Sequence, residues 1–356
     1  ERVLTTKANY LADVLGYEVH IITARQKGRK EFFPLSERII RHDLDANDRM
    51  FLFKYRKRLD TLLGKIRPDF TVTVCDNSLY ALTRCTDGSV KVGEFHFSHE
   101  KFLMKYGNNV FGRMYASLRT RRLENAVRKL DRFVVLTMAD KEDWEKVRPD
   151  VEQIYNPLSF VSQDVSPLTA KRCMAAGRLE GQKNFKDLIT AWQTVSARHP
   201  DWTLSIYGNG SQREALQSQI NSAGLQGKVI LEGNTNNVRK EMLDSSCLVM
   251  SSRFEGFPMI LLEALTTGLP IVSYDCPKGP SEVVTIGANG YLAKVGDTAT
   301  LAQGICSVIA NEDLRKRFGA ESKRRSENFT LEKTMERWDR LFSSLTTSRT
   351  RTSPEG

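Results

Sequence analysis

Short β-rich runs alternate with amphipathic stretches of helix length along most of this chain, and no other feature constrains its fold as strongly. The runs are nearly continuous in apolar residues, as expected of strands buried on both faces of a parallel sheet. Strands and helices that alternate in this way build α/β domains in which helices cover the sheet. The predicted strands are Glu18–Thr23, Phe70–Cys75, Arg132–Leu136, Lys171–Ala176, Thr203–Tyr207, Lys228–Leu231, Ser246–Ser251 and Pro270–Tyr274, and helices between them include Asn184–Arg198, Gln212–Ala223 and Met259–Thr267.

The length of 356 residues is sufficient for two domains with full-sized cores. The segment from Asn156 to Ala170 contains two prolines and several serines, which favours a hinge over another strand. We therefore expect two doubly wound α/β domains, residues 1–156 and 157–330, that face each other across a cleft. Ligands of such sheets bind beyond the carboxyl ends of the strands.

The sequence at each end of the chain allows a separate prediction. The sequence begins at Glu1 and reads immediately as a helix, although an α/β domain normally leads such a helix with a strand and a turn; we expect a short preceding stretch to be missing. At the other end, Thr330–Leu345 predicts a helix with Trp338 and Phe342 on one apolar side. The polar residues 346–356 are predicted to be disordered.

Composition excludes several classes of protein. No run approaches the roughly 18–20 apolar residues that cross a bilayer. The six cysteines lie far apart without a C-x-x-C pair, which fits neither a zinc site nor a disulfide scaffold and favours reduced thiols in a cytoplasmic protein. The net charge is +10, and residues 101–132 hold nine basic and two acidic side chains. Such a field attracts anions: a membrane surface, a phosphorylated lipid or a nucleic acid.

Two glutamates in the stretch Ser251–Ala264 (SSRFEGFPMILLEA) are the first candidates for chemistry. Glu255 follows a predicted strand and Glu263 lies in the helix that begins near Pro258. Carboxylates repel phosphate but accept hydrogen bonds from sugar hydroxyls, and each charge-assisted bond contributes roughly 1.5–3 kcal/mol. The alternative is structural: one glutamate favoured by the helix dipole and one that faces solvent.

Three further segments follow predicted strands of the second half. In AAGRLEGQKNF, the cations Arg178 and Lys183 follow Gly177 just before a helix, a natural arrangement for a diphosphate. The run IYGNGS places Gly208 and Gly210 after a strand, which a plain tight turn explains equally well. The loop of SYDCPKGPSE also precedes a helix whose amides could reach phosphate oxygens. All four segments are expected to meet at one edge of the sheet.

In order and spacing these segments resemble the retaining GT-B glycosyltransferases, specifically the large fourth family of bacterial polysaccharide and lipopolysaccharide enzymes. The matching motifs are G-R-L-x-x-x-K-N, E-G-F-P-x-x-x-x-E and the later G-x-N-G-Y-L at 287–292. The resemblance is close from Lys171 to about Leu345 and looser over residues 1–156. It also matches Asn156–Pro157 to the family's interdomain link, and the helix around 331–345 to the segment that packs back on the first domain.

The resemblance implies a donor-binding second domain and an acceptor-binding first domain. Arg178 and Lys183 would neutralise the leaving diphosphate, Glu263 would hold the ribose hydroxyls, and Glu255 would hold the transferred sugar. Asn234 and Thr235 would contact the base of the nucleotide. The donor pocket would further include Gly177, Gly208, Gly210, Gly256, Phe257 and Pro258.

In the first domain, KVGEFHFSHEKF offers two histidines after a strand. The family position that contacts the donor sugar matches His96 better than His99, because the strand leads straight into His96 and an aromatic residue follows it. For either histidine the alternative is an ordinary surface or packed side chain. The family's Gly-rich first loop would precede Glu1.

The resemblance implies hexose transfer from a nucleoside diphosphate sugar, UDP being favoured, with retention at the anomeric carbon. No cofactor or metal is expected, since the only D-x-D, Asp43–Asp45, reads as part of a polar loop. The acceptor would be a saccharide or a polyprenyl-diphosphate-linked saccharide. Residues 101–132 would approach an anionic membrane, with a solvated helix face as the alternative, and the protein would be cytoplasmic or peripheral on the inner face of the cell membrane.

Two other classes stay open. An epimerase-like GT-B enzyme is disfavoured by the Glu255/Glu263 signature. A nucleic-acid binder would use the basic first domain, but no zinc-finger, helix-turn-helix or RNP-like signature supports it, and no nucleic-acid partner is expected.

Overall fold

The computed structural model describes residues 2–29, 33–46, 51–74, 76–107 and 109–352. The chain divides into two compact units. The N-terminal unit comprises residues 1–157 and 331–356, and the C-terminal unit comprises residues 158–330. All strand pairs among the described residues are parallel, which confirms the predicted α/β class with parallel sheets.

The C-terminal unit is built on a six-stranded sheet with the order β12-β11-β10-β7-β8-β9. Cys173 and Met174 are adjacent in β7, so their side chains point to opposite faces, and both are completely buried. Helices therefore cover both faces of the central strands, as the apolar runs predicted. The strands are β7 (Arg172–Ala176), β8 (Thr203–Tyr207), β9 (Val229–Gly233), β10 (Cys247–Met250), β11 (Ile271–Tyr274) and β12 (Gly290–Ala293).

The helices of this unit follow from apolar residues at helical spacing. In α7, Leu188, Trp192 and Val195 recur at intervals of four and three residues, and all are fully buried against the sheet. The helices are α7 (Phe185–Arg198), α8 (Arg213–Ser222), α9 (Val238–Leu243), α10 (Met259–Thr266), α11 (Pro280–Val283), α12 (Thr298–Ala310) and α13 (Glu312–Ser326), followed by a 3-10 turn at Glu327–Phe329.

The N-terminal unit contains a two-stranded sheet, β1-β2, and a four-stranded sheet with the order β3-β4-β5-β6. Its strands are β1 (His20–Thr23), β2 (Ile40–Asp43), β3 (Phe70–Thr73), β4 (Val90–Phe95), β5 (Arg132–Val135) and β6 (Val151–Gln153). Its first six helices are α1 (Arg2–Asp13), α2 (Phe51–Ile66), α3 (Asp76–Leu82), α4 (Lys101–Tyr106), α5 (Val110–Val127) and α6 (Met138–Glu145).

Helix α14 (Leu331–Thr352) returns to the N-terminal unit after the C-terminal unit is complete. Trp338 and Phe342 lie on its apolar side as predicted, and they join one core cluster with Val92 and Val134 of the four-stranded sheet. The helix continues to Thr352, so the prediction of disorder was wrong for residues 346–352, while residues 353–356 lie outside the described residues. Once a packed helix is nucleated, adding a residue costs little, and polar residues extend it.

Strands were missed where the apolar signal is short or absent. Strand β2 has the sequence IRHD and is mostly exposed, and β6 has only three residues, so neither produces an apolar run. The first predicted strand begins two residues later than expected, at His20. The predicted end of β3 at Cys75 lies outside the described residues.

Candidate active site

The four segments selected from the second half of the sequence follow β7, β8, β10 and β11. Because these strands are parallel members of one sheet, their carboxyl ends lie at the same edge. Hydrogen bonds extend the sheet to its rim: the amide of Gly177 donates to Tyr207 O at 2.9 Å, and that of Gly208 donates to Gly233 O at 2.7 Å. The turns after β7, β8 and β9 are thereby held side by side.

Glycine is required where these turns approach one another. Gly208 has φ +135°, and a Cβ there would lie 1.9 Å from Gly177 O. Gly177 has φ +156°, and its Cβ would touch the aliphatic stem of Lys183 at 3.0 Å. A Cβ on Gly210 would lie 2.5 Å from Leu179 O. The Gly-x-Gly run is therefore a backbone crossing that side chains would block, in addition to being a turn.

The Nζ atom of Lys183 lies 2.7 Å from Oε1 of Glu255, and this ion pair joins the loop after β7 to the loop after β10. The side chains are 20% and 9% exposed, so most of the pair is shielded from water. Backbone contacts align the same two loops: the Arg253 amide donates to Gln182 O at 2.8 Å, and Ser251 Oγ donates to Lys183 O at 2.9 Å. The ion pair thus lies between two loops that are already fastened together.

Arg178 differs from Lys183 in its surroundings. Its side chain is exposed and makes no hydrogen bond or ion pair with a described residue. Glu180, two residues on, accepts hydrogen bonds from the amide and hydroxyl of Ser211 at 3.0 and 2.8 Å, and these bonds, together with the charge of Arg178, lower the pKa of Glu180. The rim therefore carries a cation that is available to a ligand.

Glu263 is the fifth residue of α10, and its side chain is buried, at 7% exposure. The structural alternative, in which one of the two glutamates faces solvent, is therefore wrong, because Glu255 is equally buried. Pro258 is the cap residue just before α10, with φ −78° and ψ 91°, and lies one residue ahead of the first turn in which it was placed. A Cβ on Gly279 would lie 2.4 Å from Cδ of Pro258, so the loop after β11 packs against this cap residue.

The remaining predicted donor residues are distributed around the same rim. Asn234 and Thr235 follow β9, and Thr235 Oγ1 accepts from the amide of Asn237 at 3.0 Å. Gly256 is half-buried beside Glu255, whereas the Phe257 ring is buried against Phe329, 6.1 Å away. The ring of Phe257 therefore anchors the loop, and the predicted role of its backbone amide stays a prediction.

Two groups near the ion pair were not selected from the sequence. Cys276 is buried, and desolvation and the charge of Glu255 raise the pKa of its thiol to about 12 despite Lys183, so the thiol is neutral. Tyr274 OH, at the end of β11, donates to Asp187 at 3.2 Å, and Asp187 also accepts from Asn184 Nδ2 at 2.7 Å. These two hydrogen bonds fix the start of α7 just after Lys183. The only sequence signal for these residues was their position at strand ends.

In the N-terminal unit, His96 comes directly after β4. Its Nε2 atom lies 3.2 Å from Oε1 of the buried Glu94, whose carboxylate also contacts Lys7 Nζ at 2.5 Å. Burial alone would raise the pKa of Glu94, but Lys7 and His96 lower it to about 2. His99 has a packed environment: Nε2 lies 3.0 Å from Glu124 Oε1, and the ring meets Trp144 edge-on at 4.7 Å.

The D-x-D sequence was placed in a polar loop, and this was wrong for its first residue. Asp43 is the last residue of β2, and its carboxylate accepts from the amides of Gln26, Lys27 and Asp45 at 2.8, 3.2 and 3.1 Å. Paired strands set this position, and the exposed sequence of β2 concealed it. Among the residues the structure describes, no three His, Cys, Asp or Glu side chains gather as a group that could hold a metal ion.

Comparison with protein-family models assigns each half of the chain to a glycosyltransferase family. Residues 162–325 match the family model described as glycosyl transferases group 1, and residues 1–159 match glycosyltransferase family 4. The chain belongs to the GT-B glycosyltransferases. The match to the first model includes every segment of the glycosyltransferase's C-terminal rim described above.

Individual proteins resemble this glycosyltransferase over different extents. A glycosyltransferase of Haemophilus influenzae, described as uncharacterized, is 28% identical over 95% of this chain and 94% of its own length. The lipopolysaccharide 1,6-galactosyltransferase of Salmonella typhimurium is 33% identical over 46% of this chain and 47% of its own length. The Anabaena protein Alr3699/HepE, solved in complex with UDP, has a TM-score of 0.73 at 17% identity and covers 86% of this chain and 87% of that chain. That structural likeness establishes the fold.

Proposed function

We propose that this glycosyltransferase transfers a hexose from a UDP-sugar to a hydroxyl of a saccharide or lipid-linked saccharide, with retention at the anomeric carbon. The observation that carries the proposal is the shielded Lys183–Glu255 pair beside the crossing of Gly177 and Gly208. The glycine crossing keeps side chains out of this part of the rim, and a cation and a carboxylate side by side suit a phosphate and a sugar hydroxyl, respectively.

In this proposal Lys183 and Arg178 stabilise the negative charge that develops on the diphosphate as the glycosidic bond breaks. Positive side chains in a water-poor site supply the charge stabilisation that a divalent ion supplies in other transferases, so no metal or cofactor is required. Lys183 is oriented by Glu255 before the donor arrives, which avoids reorganisation during the reaction.

The two buried glutamates have separate roles in donor recognition. Glu255 accepts hydroxyls of the transferred hexose, and Glu263 accepts the ribose hydroxyls. Asn234 and Thr235 lie after β9, where they would contact the base. Hydrogen bonds from hydroxyls to carboxylates are charge-assisted and therefore stronger than those between neutral groups, which suits both glutamates to sugar recognition.

His96 is proposed as the sugar contact of the N-terminal unit. Its Nε2 atom lies 3.2 Å from the carboxylate of Glu94, which Lys7 holds in the ionised form. The leaving phosphate would help to remove the proton of the acceptor hydroxyl in a front-face path. No covalent nucleophile is then needed.

The choice of UDP and of a polysaccharide acceptor is supported by the relatives. The Anabaena structure contains UDP, and the Salmonella relative acts on lipopolysaccharide with a galactosyl group, as its name states. We propose that this chain acts in the synthesis of a cell-surface polysaccharide. The Salmonella match lies within about half of this chain, so the acceptor assignment rests on the family as a whole.

Helix α5 supports the proposed contact with an anionic membrane. Val110, Phe111, Met114 and Leu118 lie on one helical face and are 78, 80, 60 and 59% exposed. The opposite face of α5 is buried in the unit through residues such as Leu123. An exposed apolar face within the basic segment 101–132 fits the interfacial zone of a membrane with anionic headgroups. We propose a cytoplasmic protein that binds the inner face of the membrane peripherally.

No helix in the described part of the chain is both long and apolar enough to pass through a bilayer.

The donor site is tested by thermal shift with UDP, GDP, ADP and their sugars, using wild type, Arg178→Ala and Glu263→Ala. A ligand at a hundred times its Kd stabilises the folded state by about 2.7 kcal/mol, which raises Tm by several degrees. We expect a shift with UDP and UDP-sugars that both variants lose. Arg317→Ala and Glu214→Ala, exposed residues on α13 and α8, serve as controls and should keep the shift. A shift with GDP alone, or one unaffected by Arg178→Ala and Glu263→Ala, would contradict the proposal.

A further inference from the structure

An open pocket of about 560 Å³ lies between β2 and α2 in the N-terminal unit, and none of its lining residues has been assigned a role above. Its volume is within the range of small-molecule sites. The lining contains four permanent cations, Arg41 from the strand and Lys57, Arg58 and Lys65 from the helix. No glycosyltransferase motif in the sequence includes these residues.

The helix presents its cations on one face. Lys57, Arg58 and Lys65 are exposed and spaced by one and seven residues, while Leu59 and Leu63 on the other side of α2 are buried. Neither Lys57 nor Lys65 forms a hydrogen bond or ion pair with any residue in the described ranges. Like charges on one concave surface repel each other, and a bound anion removes that repulsion.

Arg58 is held in place by backbone groups. One of its terminal nitrogens donates to Leu44 O at 2.6 Å and also to Asp45 O. Both acceptors are neutral carbonyls, so the bonds orient the guanidinium without cancelling its charge. An oriented guanidinium presents its remaining donors in a planar fork that matches phosphate oxygens.

Asp43 is the only carboxylate among the described residues of the lining, and its oxygens are already engaged by the three backbone amides described above. His42, also in the lining, lies 2.9 Å from His20 through their ring nitrogens, and burial and the proximity of His20 lower the pKa of His42. The pocket therefore has a net positive charge from the arginines and lysines, with a neutral ring beside them.

We propose that this pocket binds the phosphate or phosphodiester groups of an anionic glycan acceptor. That the bound glycan is an acceptor rests on the proposed transfer reaction, whereas the binding of an anion in this pocket is independent of that reaction. Thr61 contributes a hydroxyl and Leu62 an apolar side chain to the lining, which suits a sugar attached to the phosphate. The pocket extends recognition of the acceptor beyond the hydroxyl that reacts.

The test is isothermal titration calorimetry of the full chain, without nucleotide, with a short poly(glycerol phosphate) oligomer as probe. We expect wild type to bind and Lys57→Ala/Lys65→Ala to weaken binding on the order of tenfold or more, since each charge-assisted contact is worth about that factor. Lys57→Arg/Lys65→Arg should retain binding. The control Lys146→Ala/Lys171→Ala removes two exposed lysines elsewhere, with the same change in net charge, and should bind like wild type.

Several outcomes would overturn the proposal. They are absence of binding to wild type, an equal loss in the control variant, or a single-stranded DNA oligomer that binds as tightly as the poly(glycerol phosphate) probe. Binding to phosphatidylglycerol vesicles alone would assign the cations to lipid headgroups and would also overturn it. The circular dichroism spectrum and Tm verify that each variant is folded. If the nucleotide shift fails while the oligomer still binds, the proposed donor fails and the pocket stands.

Discussion

Charge is arranged differently in the two units of the protein. In the C-terminal unit, Lys183 and Glu255 are shielded, paired at 2.7 Å and held by loops that hydrogen-bond to each other. In the N-terminal unit, Lys57 and Lys65 are exposed, and no described residue pairs with them. A shielded pair is oriented in advance and acts at short range, whereas exposed cations attract anions at a distance and are screened by salt.

The comparison teaches that the two regions are suited to different tasks. A reacting diphosphate requires groups fixed within a fraction of an ångström, which the glycine crossing and the ion pair provide. A large anionic acceptor or a membrane surface requires attraction and tolerance of several poses, which exposed side chains provide. Substitutions in each region test this difference.

Gly208→Ala should have the largest effect, because its Cβ would lie 1.9 Å from Gly177 O at φ +135°. The backbone crossing must open, so we expect loss of the UDP-induced thermal shift together with a fall in Tm. Gly227→Ala is the matched control, with φ +72° and no atom within 4 Å of the new Cβ; it should lose only about 1–2 kcal/mol of stability and keep the shift. An unchanged shift in Gly208→Ala would show that the crossing does not shape the donor site.

Lys183→Met should lower kcat by about 10²–10³-fold, the usual cost of one preorganised charge partner of a leaving group. Glu255→Gln and the double variant complete a thermodynamic cycle in initial-rate assays, and their effects should be strongly non-additive because the two side chains contact each other. Lys186→Met, at the exposed second residue of α7, is the control and should be close to wild type. Additive effects of Lys183 and Glu255 would argue that the pair does not act as a unit.

Glu94→Gln should destabilise the N-terminal unit at neutral pH by an amount on the order of 3 kcal/mol. The pKa of Glu94 is about 2 when folded and near 4.5 when unfolded, so its contribution is complete above pH 4.5 and is lost as pH falls toward 2. Urea unfolding of the wild type and the variant at pH 7 and at pH 3 measures this contribution to the free energy of unfolding. The difference between wild type and variant should shrink at pH 3, and a difference independent of pH would refute the role of the charge.

Phe111→Ser/Leu118→Ser should weaken binding to phosphatidylglycerol vesicles by at least about tenfold, since each buried side chain contributes roughly 1.5–3 kcal/mol. Both side chains are exposed in the free protein, so stability should barely change. The matched control Val161→Ser/Ile286→Ser alters two exposed apolar residues of the C-terminal unit. Co-sedimentation that is equal in all three proteins would leave α5 as an ordinary surface helix.

Much of the C-terminal unit could be predicted from the sequence, because its signals are local. Strands such as Thr203–Tyr207 are apolar-rich runs that end at a glycine, and the structure has that strand at the predicted residues. The glycines and charged residues of the rim follow such strands directly, so their convergence at one edge follows from parallel topology.

Prediction from the sequence was weaker where the structure of a segment depends on other parts of the chain. Strand β2 is mostly exposed and has no apolar run, so it was missed and Asp43 was assigned to a loop. Helix α14 continues to Thr352 through residues whose composition favours disorder. Pairing with β1 defines β2, whereas α14 extends from the part of the helix that is packed in the core, and periodicity reports neither.

The parallel α/β architecture and the set of residues at the rim follow from local sequence patterns, because burial period and strand-end position are properties of short segments. The fold was needed to show that Lys183 pairs with Glu255, that Gly208 must pass Gly177 without a side chain, and that lysines of α2 share a pocket with β2. Those contacts join residues dozens of positions apart or depend on distances of a few ångströms. They exist only once the chain has packed, because packing sets which charges are shielded and which stay open to a ligand.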